Sequence, residues 1–276
     1  MKKILLLLSA IFIAGCTTSS VKTVQQHFTL DGDHGKLSVV LESPKKEKTY
    51  PIVMILHGFN ASKDMPLLVE LSNKLNNKGI ATVRFDFNGH GQSEGSFLDM
   101  TALNEIEDTK KVYEYVNSLP QVKSISLVGH SLGGVVAAMF AGEIGSDKIK
   151  TIALMAPAGE LKDDTLKGDL FGIKYDPKNI PDYIILSNGL KVGKAFLQTS
   201  QTLQIYETAE KYTGPVLIVH SKDDQLVPYS YGVKFKEIYE NATLETLSGF
   251  NHNFTQNTGY VNDIITDFFE KQLITK

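Results

Sequence analysis

Short β-branched runs alternate with amphipathic stretches along most of this chain. Runs at Lys36–Glu42, Ile52–Leu56, Ala81–Asp86, Ser124–Gly129, Thr151–Met155, Val216–His220 and Thr243–Leu247 predict strands. Between them, Met65–Asn77, Thr101–Leu119, Leu132–Glu143, Ser230–Tyr239 and Tyr260–Gln272 predict helices. The helical period is plainest over Thr101–Leu119. There Leu103, Ile106, Val112, Tyr115, Val116 and Leu119 fall mostly on one face, with Glu105, Asp108, Lys110 and Lys111 opposite. Strands alternating with helices predict an α/β domain, a mostly parallel sheet covered on both faces. In such sheets functional groups gather beyond the carboxyl ends of the strands.

The polar residues obey that rule. His57-Gly58-Phe59-Asn60 follows one predicted strand and Asp86-Phe87-Asn88-Gly89-His90-Gly91 the next. Asp223-Asp224 and Gly249-Phe250-Asn251-His252 follow the last two. Between these pairs stands Gly129-His130-Ser131-Leu132-Gly133, a G-x-S-x-G set between a strand and a small-residue helix. A strand turning sharply into a helix strains the turn residue and pushes its side chain out of the sheet. Ser131 is therefore the candidate nucleophile. A serine needs a base and an orienting acid to attack anything.

Two histidines follow Ser131. His220 closes a strand just before the acidic pair, where a ring packs or bonds backbone; His252 lies in a loop after the last strand and is the candidate base. Either Asp223 or Asp224 can be the acid, with Asp224 favoured. His57, His90 and His130 read as loop-stabilising residues, and His27 and His34 carry no signal. No H-E-x-x-H or H-x-x-E-H spacing and no G-x-G-x-x-G is present, so neither a metal nor a dinucleotide cofactor is expected.

Composition narrows the partners. Net charge is −3 with both signs scattered, which gives nucleic-acid binding no electrostatic footing. At the start, Lys2-Lys3 precede an apolar stretch, Ile4 to Ile13, too short to span a bilayer. Ile13-Ala14-Gly15-Cys16 then resembles a bacterial lipobox, and Cys16 is the only cysteine. The expected organisation is a lipoprotein signal peptide over 1–15, a tether over 16–29, and one catalytic domain over 30–276. The mature protein is expected to be exported and anchored to the cell envelope by acyl chains, palmitate among them, on Cys16. Thr17 in place of Asp fits outer-membrane sorting in a Gram-negative cell.

The order Ser131, Asp224, His252 resembles that of the α/β-hydrolase fold, and the likeness runs from about residue 30 onward. His220-Ser221-Lys222-Asp223-Asp224-Gln225-Leu226-Val227-Pro228 is similar to the family's acid loop H-G-x-x-D-x-x-V-P, with serine in place of its glycine. Gly249-Phe250-Asn251-His252-Asn253-Phe254 is similar to its base loop. The resemblance implies an oxyanion hole built from the backbone N–H groups of Phe59 and Leu132. It implies a serine hydrolase of small-molecule esters working through an acyl-enzyme.

Roughly sixty residues separate Met155 from Val216, more than one crossover helix needs, so a cap insertion is expected over about 159–205. The cap is charged and polar, unlike the apolar lid of a lipase. A narrower resemblance, to bacterial cinnamoyl (feruloyl) esterases, rests on His57–Ala61, Val83–Gly91, Leu103–Asp108 and Ala156-Pro157-Ala158. It implies that Asp164 contacts a phenolic hydroxyl and that Phe196 stands where some members have an assisting tyrosine. General short-acyl carboxylesterase, thioesterase and acyl-peptide hydrolase activity are the alternatives. A surface lipoprotein using the fold only to bind is the non-enzymatic one.

Overall fold

The computed structural model describes residues 23–45 and 47–275. Six strands come before the cap: β1 (Thr23–Asp31), β2 (Lys36–Pro44), β3 (Tyr50–Leu56), β4 (Ala81–Phe85), β5 (Val122–His130) and β6 (Ile149–Met155). The cap holds two small hairpins, β7 (Asp169–Leu170) with β8 (Ile173–Lys174) and β9 (Tyr183–Ile185) with β10 (Lys191–Gly193). Two further strands, β11 (Val216–Ser221) and β12 (Ala242–Leu247), complete an eight-stranded sheet of order β1-β2-β4-β3-β5-β6-β11-β12. From β4 to β12 every pairing is parallel, while β1 and β2 add an antiparallel edge.

Helices cover both faces. They are α1 (Pro66–Asn77), α2 (Ala102–Ser118), α3 (Leu132–Ile144), α4 (Leu161–Lys167), α5 (Lys194–Thr202), α6 (Ile205–Ala209), α7 (Tyr229–Ile238) and α8 (Thr258–Leu273). Every residue of β3 is buried, and alternate side chains serve two cores. Ile52, Met54 and Leu56 pack with residues of α2 and α3; Val53 and Ile55 pack with those of α1 and α8. This is the period of two of a strand buried on both faces, and it explains why the central strands read as unbroken apolar runs. The α3 helix is buried almost all round, because its small residues lie against the sheet, α2 and α6.

The later part of the tether expected over 16–29 is strand. Thr23–Asp31 pairs with Pro44–Lys36 in continuous antiparallel register, so residues 23–29 belong to the sheet. As an edge strand β1 is mostly exposed, and its polar Thr-Val-Gln-Gln-His sequence conceals an inward Phe28, which meets Tyr115 at 5.0 Å. The signal peptide, Cys16 and Thr17 lie outside the described residues.

The expected cap boundary of 159–205 encloses α4, both hairpins and α5, whereas α6 packs on α3 and belongs to the body. A Cβ on Gly142 of α3 would strike the Thr208 carbonyl, which shows how closely α6 lies against α3. Through α5 and the two hairpins, the cap contributes Leu170, Ile184, Val192, Phe196 and Leu197 to the main core.

Candidate active site

The turn from β5 into α3 places Ser131 at φ 56°, ψ −121°, a left-handed conformation that serine rarely adopts. Its surroundings hold it there. Ser131 N–H donates to the Met155 carbonyl at 2.9 Å, and the Ser131 carbonyl accepts from Gly134 and Ala158 N–H. The motif glycines allow the close approach this requires: a Cβ on Gly129 would strike the Gly133 carbonyl, and one on Gly133 the His57 carbonyl. As the first residue of α3, Leu132 has no intrahelical acceptor for its N–H, which is left free beside the serine.

Asp224, rather than Asp223, meets His252. His252 Nδ1–H donates to Asp224 Oδ2 at 2.8 Å, while Asp224 Oδ1 accepts from Leu226 and Val227 N–H at 2.8 and 3.0 Å. Burial tends to raise the Asp224 carboxyl. The His220 ring beside it and the hydrogen bond from His252, with the Val227 N–H, outweigh it and hold the group well below the usual carboxylate range. Asp223 turns instead to the base loop and accepts from Gly249 N–H at 2.6 Å. The adjacent acids thus divide the work, one orienting the imidazole and the other fastening its loop. His220 is fully buried; its Nε2–H donates to the Val227 carbonyl at 3.1 Å and lies 3.4 Å from Asp224.

The other histidines hold loops. His57 Nδ1–H donates to the Gly58 carbonyl at 2.9 Å and its Nε2 accepts from Phe87 N–H at 3.1 Å, joining the loops after β3 and β4. Burial, with His90 close by, pushes His57 down to about 3, so it is neutral and keeps this tautomer. His130 is also pushed down to about 3, chiefly by burial and then by His252, and its Nε2–H donates to the His252 carbonyl at 3.0 Å.

Two cavities meet at the serine. The inner one, about 310 Å³, lies under the cap and is lined by Ser131, Leu132, Glu160, Asp164, Phe171 and Phe196, among others. The outer one, about 540 Å³, is lined by Asn60, Ser62, His130, Ser131, His252 and Asn253, among others. Phe59 and Leu226 border both. Ser131 and His252 therefore share an opening. They make no hydrogen bond to each other here, a contact that in substrate-free hydrolases often forms only with substrate in place. Asp164 lies 3.5 Å from Lys167 Nζ. Phe196 is buried, its ring 5.4 Å from that of Phe59.

Several wall residues carried no sequence signal. Glu160 and Phe171 belong to no motif, Gln225 and Leu226 fill only the unspecified positions of the acid loop, and the fold brings all four to the cavity wall. Lys63 is nearly fully buried behind the loop that carries Phe59. Its N–H and Nζ both reach the Asp86 carboxylate, at 2.7 and 2.9 Å. Among the described residues, no cluster of three or more His, Cys, Asp or Glu side chains is arranged to hold a metal ion, and no helix is long and apolar enough to cross a membrane.

This geometry defines a class: a nucleophile elbow, a carboxylate-oriented imidazole and free backbone N–H groups on a mostly parallel sheet. The chain belongs to the α/β-hydrolase family of serine esterases. The pattern of the serine aminopeptidase S33 family matches residues 47–174. The structure of the esterase Est1E from Butyrivibrio proteoclasticus, solved with ferulic acid bound, superposes with a TM-score of 0.86 at 33% identity. The match covers 89% of this chain and 98% of Est1E. The bifunctional esterase/perhydrolase DCH of Acinetobacter calcoaceticus is 28% identical over 73% of this chain and 85% of its own. Human protein ABHD12B is 27% identical over 80% of this chain, which spans only 61% of the human protein's length.

Proposed function

We propose that the protein hydrolyses small carboxylic esters through an acyl-enzyme on Ser131, with hydroxycinnamate (feruloyl-type) esters as its substrate class. The observation that carries the reading is the 2.8 Å Asp224–His252 bond beside a serine held at φ 56°. His252 Nε2 takes the Ser131 proton as Oγ attacks the ester carbonyl, and Asp224 stabilises the resulting imidazolium. Charge gathers on the carbonyl oxygen, where the N–H groups of Leu132 and Phe59 receive it, each donor contributing roughly 3–4 kcal/mol. The imidazolium returns its proton to the leaving alcohol, and water activated by the same ring then cleaves the acyl-enzyme.

The two cavities give the substrate a direction. The group that protonates the leaving oxygen lies on the outer cavity, so the alcohol departs there and the acyl chain occupies the inner one. A cavity of about 310 Å³ suits a small acyl group. Support for a hydroxycinnamoyl group comes from the likeness to Est1E, which binds ferulic acid, and from Asp164 on the inner wall.

A second reading, a general short-acyl carboxylesterase, is favoured by Phe196, which brings an aromatic ring but no hydroxyl to that wall. Turnover of methyl ferulate against aliphatic methyl esters of similar size separates the two. Equal rates would remove the feruloyl reading. A fluorophosphonate probe that labels the wild type but not Ser131→Ala supports hydrolase chemistry, and an unlabelled wild type would leave a binding protein.

Export and anchoring through Cys16 complete the proposal. Metabolic labelling with a palmitate analogue is expected to mark the protein and to be lost in Cys16→Ala.

A further inference from the structure

Ala158 N–H donates to the Ser131 carbonyl at 3.1 Å, and two residues later Glu160 joins the wall of the inner cavity. Glu160 is only 6% exposed, and its Oε2 has no hydrogen-bond partner. The hydrolytic steps do not use it. Glu160 caps α4 and its carbonyl accepts from Asp164 N–H at 2.9 Å; Asp164, one turn on, lines the same cavity, so a substrate group reaching one carboxyl meets the other.

The groups around Glu160 are acids and phenols. Asp163 and Asp164 come from α4, Asp224 from the loop after β11, Tyr206 from α6 and Tyr231 from α7. Among the described residues, no lysine or arginine lines the inner cavity. Lys167, its side chain largely exposed, lies 3.5 Å from Asp164, and Lys234 lies over the Tyr206 ring at 3.9 Å. Burial, and then the charges of Asp164, Asp224 and Asp163, push the Glu160 carboxyl up to about 8 against the pull of its own backbone N–H.

We infer that Glu160 is a specificity-determining residue for the acyl end of the substrate, an uncharged O–H donor paired with the Asp164 acceptor. The inference rests on the ester-hydrolase reading for its orientation of the acyl chain. A hydroxyl suits the pair, since it donates to Asp164 and accepts from Glu160. A carboxylate tail can only accept; it meets the Asp164 and Asp169 carboxylates, which already hold Lys167 and Lys174 as their own partners. Above pH 8 Glu160 adds its charge to those of Asp164 and Asp169 on the wall, which then favours a cationic tail over a hydroxyl.

The test measures binding in the Ser131→Ala protein between pH 6.5 and 9.5. It uses two methyl esters of equal acyl length, one ending in a primary alcohol and one in trimethylammonium. The affinity ratio, cation over alcohol, is expected to rise about tenfold from pH 7 to 9 and to stay flat when Glu160→Gln is added. A flat ratio in Ser131→Ala itself overturns the inference whether or not the double variant folds. So does a rise that persists in a folded Glu160→Gln protein, and so does failure of both esters to bind. Turnover by the wild type is read separately. If the binding ratio shifts as expected but neither ester is cleaved, the hydrolase reading falls and the recognition role of Glu160 stands.

Discussion

His130 Nε2–H donates to the backbone carbonyl of His252 at 3.0 Å, and the two rings lie 4.9 Å apart. The residue before Ser131 thus fixes the backbone of His252, while Asp224 fixes its ring. Neither contact works through the other, so the imidazole is held at two separate points.

Replacing His130 tests the backbone anchor. His130→Ala leaves Ser131, Asp224 and His252 in place but frees the His252 carbonyl. A misplacement of about 1 Å costs roughly 100-fold in rate, so kcat on a p-nitrophenyl ester is expected to fall by about that factor with a smaller change in KM. Burial keeps His130 neutral down to about pH 3, so the pH–rate profile above pH 5 should owe nothing to its titration. Equal loss in kcat and thermal stability, with all activity returning at low temperature, would mark the bond as structural only.

The adjacent acids separate by substitution. Asp224→Asn removes the charge facing His252 Nδ1–H and is expected to lower kcat by roughly 10⁴. Asp223→Asn weakens only the grip on Gly249 N–H and should cost less than about tenfold. Steady-state kinetics on the two variants decides the matter, and the reverse ranking would make Asp223 the triad acid.

Glu105 is a stability prediction. It is 1% exposed, neither carboxyl oxygen has a partner, and burial, then Asp108, pushes it well above its usual value. A carboxyl raised in the folded state keeps its proton there after the unfolded chain has lost its own. Stability therefore falls as pH rises from about 4.5 toward the folded value. Glu105→Gln removes that slope, and thermal melts should show it stabilised by about 1–3 kcal/mol at pH 8 and little changed at pH 4. Asp108, pushed up to about 6 mainly by burial, adds a slope of the same sign over a lower window, which remains in the variant.

Lys63 and Asp86 form a buried pair behind the Phe59 loop, with side chains 2% and 0% exposed. Removing one partner of such a pair typically costs about 3–5 kcal/mol, because the other charge is left uncompensated. Lys63→Met is expected to lose at least that much in chemical denaturation, whereas Lys63→Met with Asp86→Asn should recover part of it. A double variant no more stable than the single would show that Asp86 is needed for its bonds to Lys63 and Gln92 N–H rather than for its charge.

What could be read in advance follows from which interactions are local. The central strands are legible because burial on both faces leaves continuous apolar runs, and Ser131, Asp224 and His252 because each follows its own strand in a patterned loop. Strand β1 is illegible because its side chains are polar and its order comes from pairing with β2. Glu160 and Lys63 look like solvated charges in sequence, since the segments that bury them lie far along the chain. The choice between Asp223 and Asp224 needed the His252 ring in space.

The His130–His252 bond spans 122 positions. A chain that has folded through β5 already has its serine but no base, and the oxygen remains an ordinary alcohol until the last loop docks. Partly made or partly threaded copies are therefore chemically silent toward esters. The appearance of activity reports a completed fold, and a single labelling reaction on Ser131 can count finished molecules among unfinished ones.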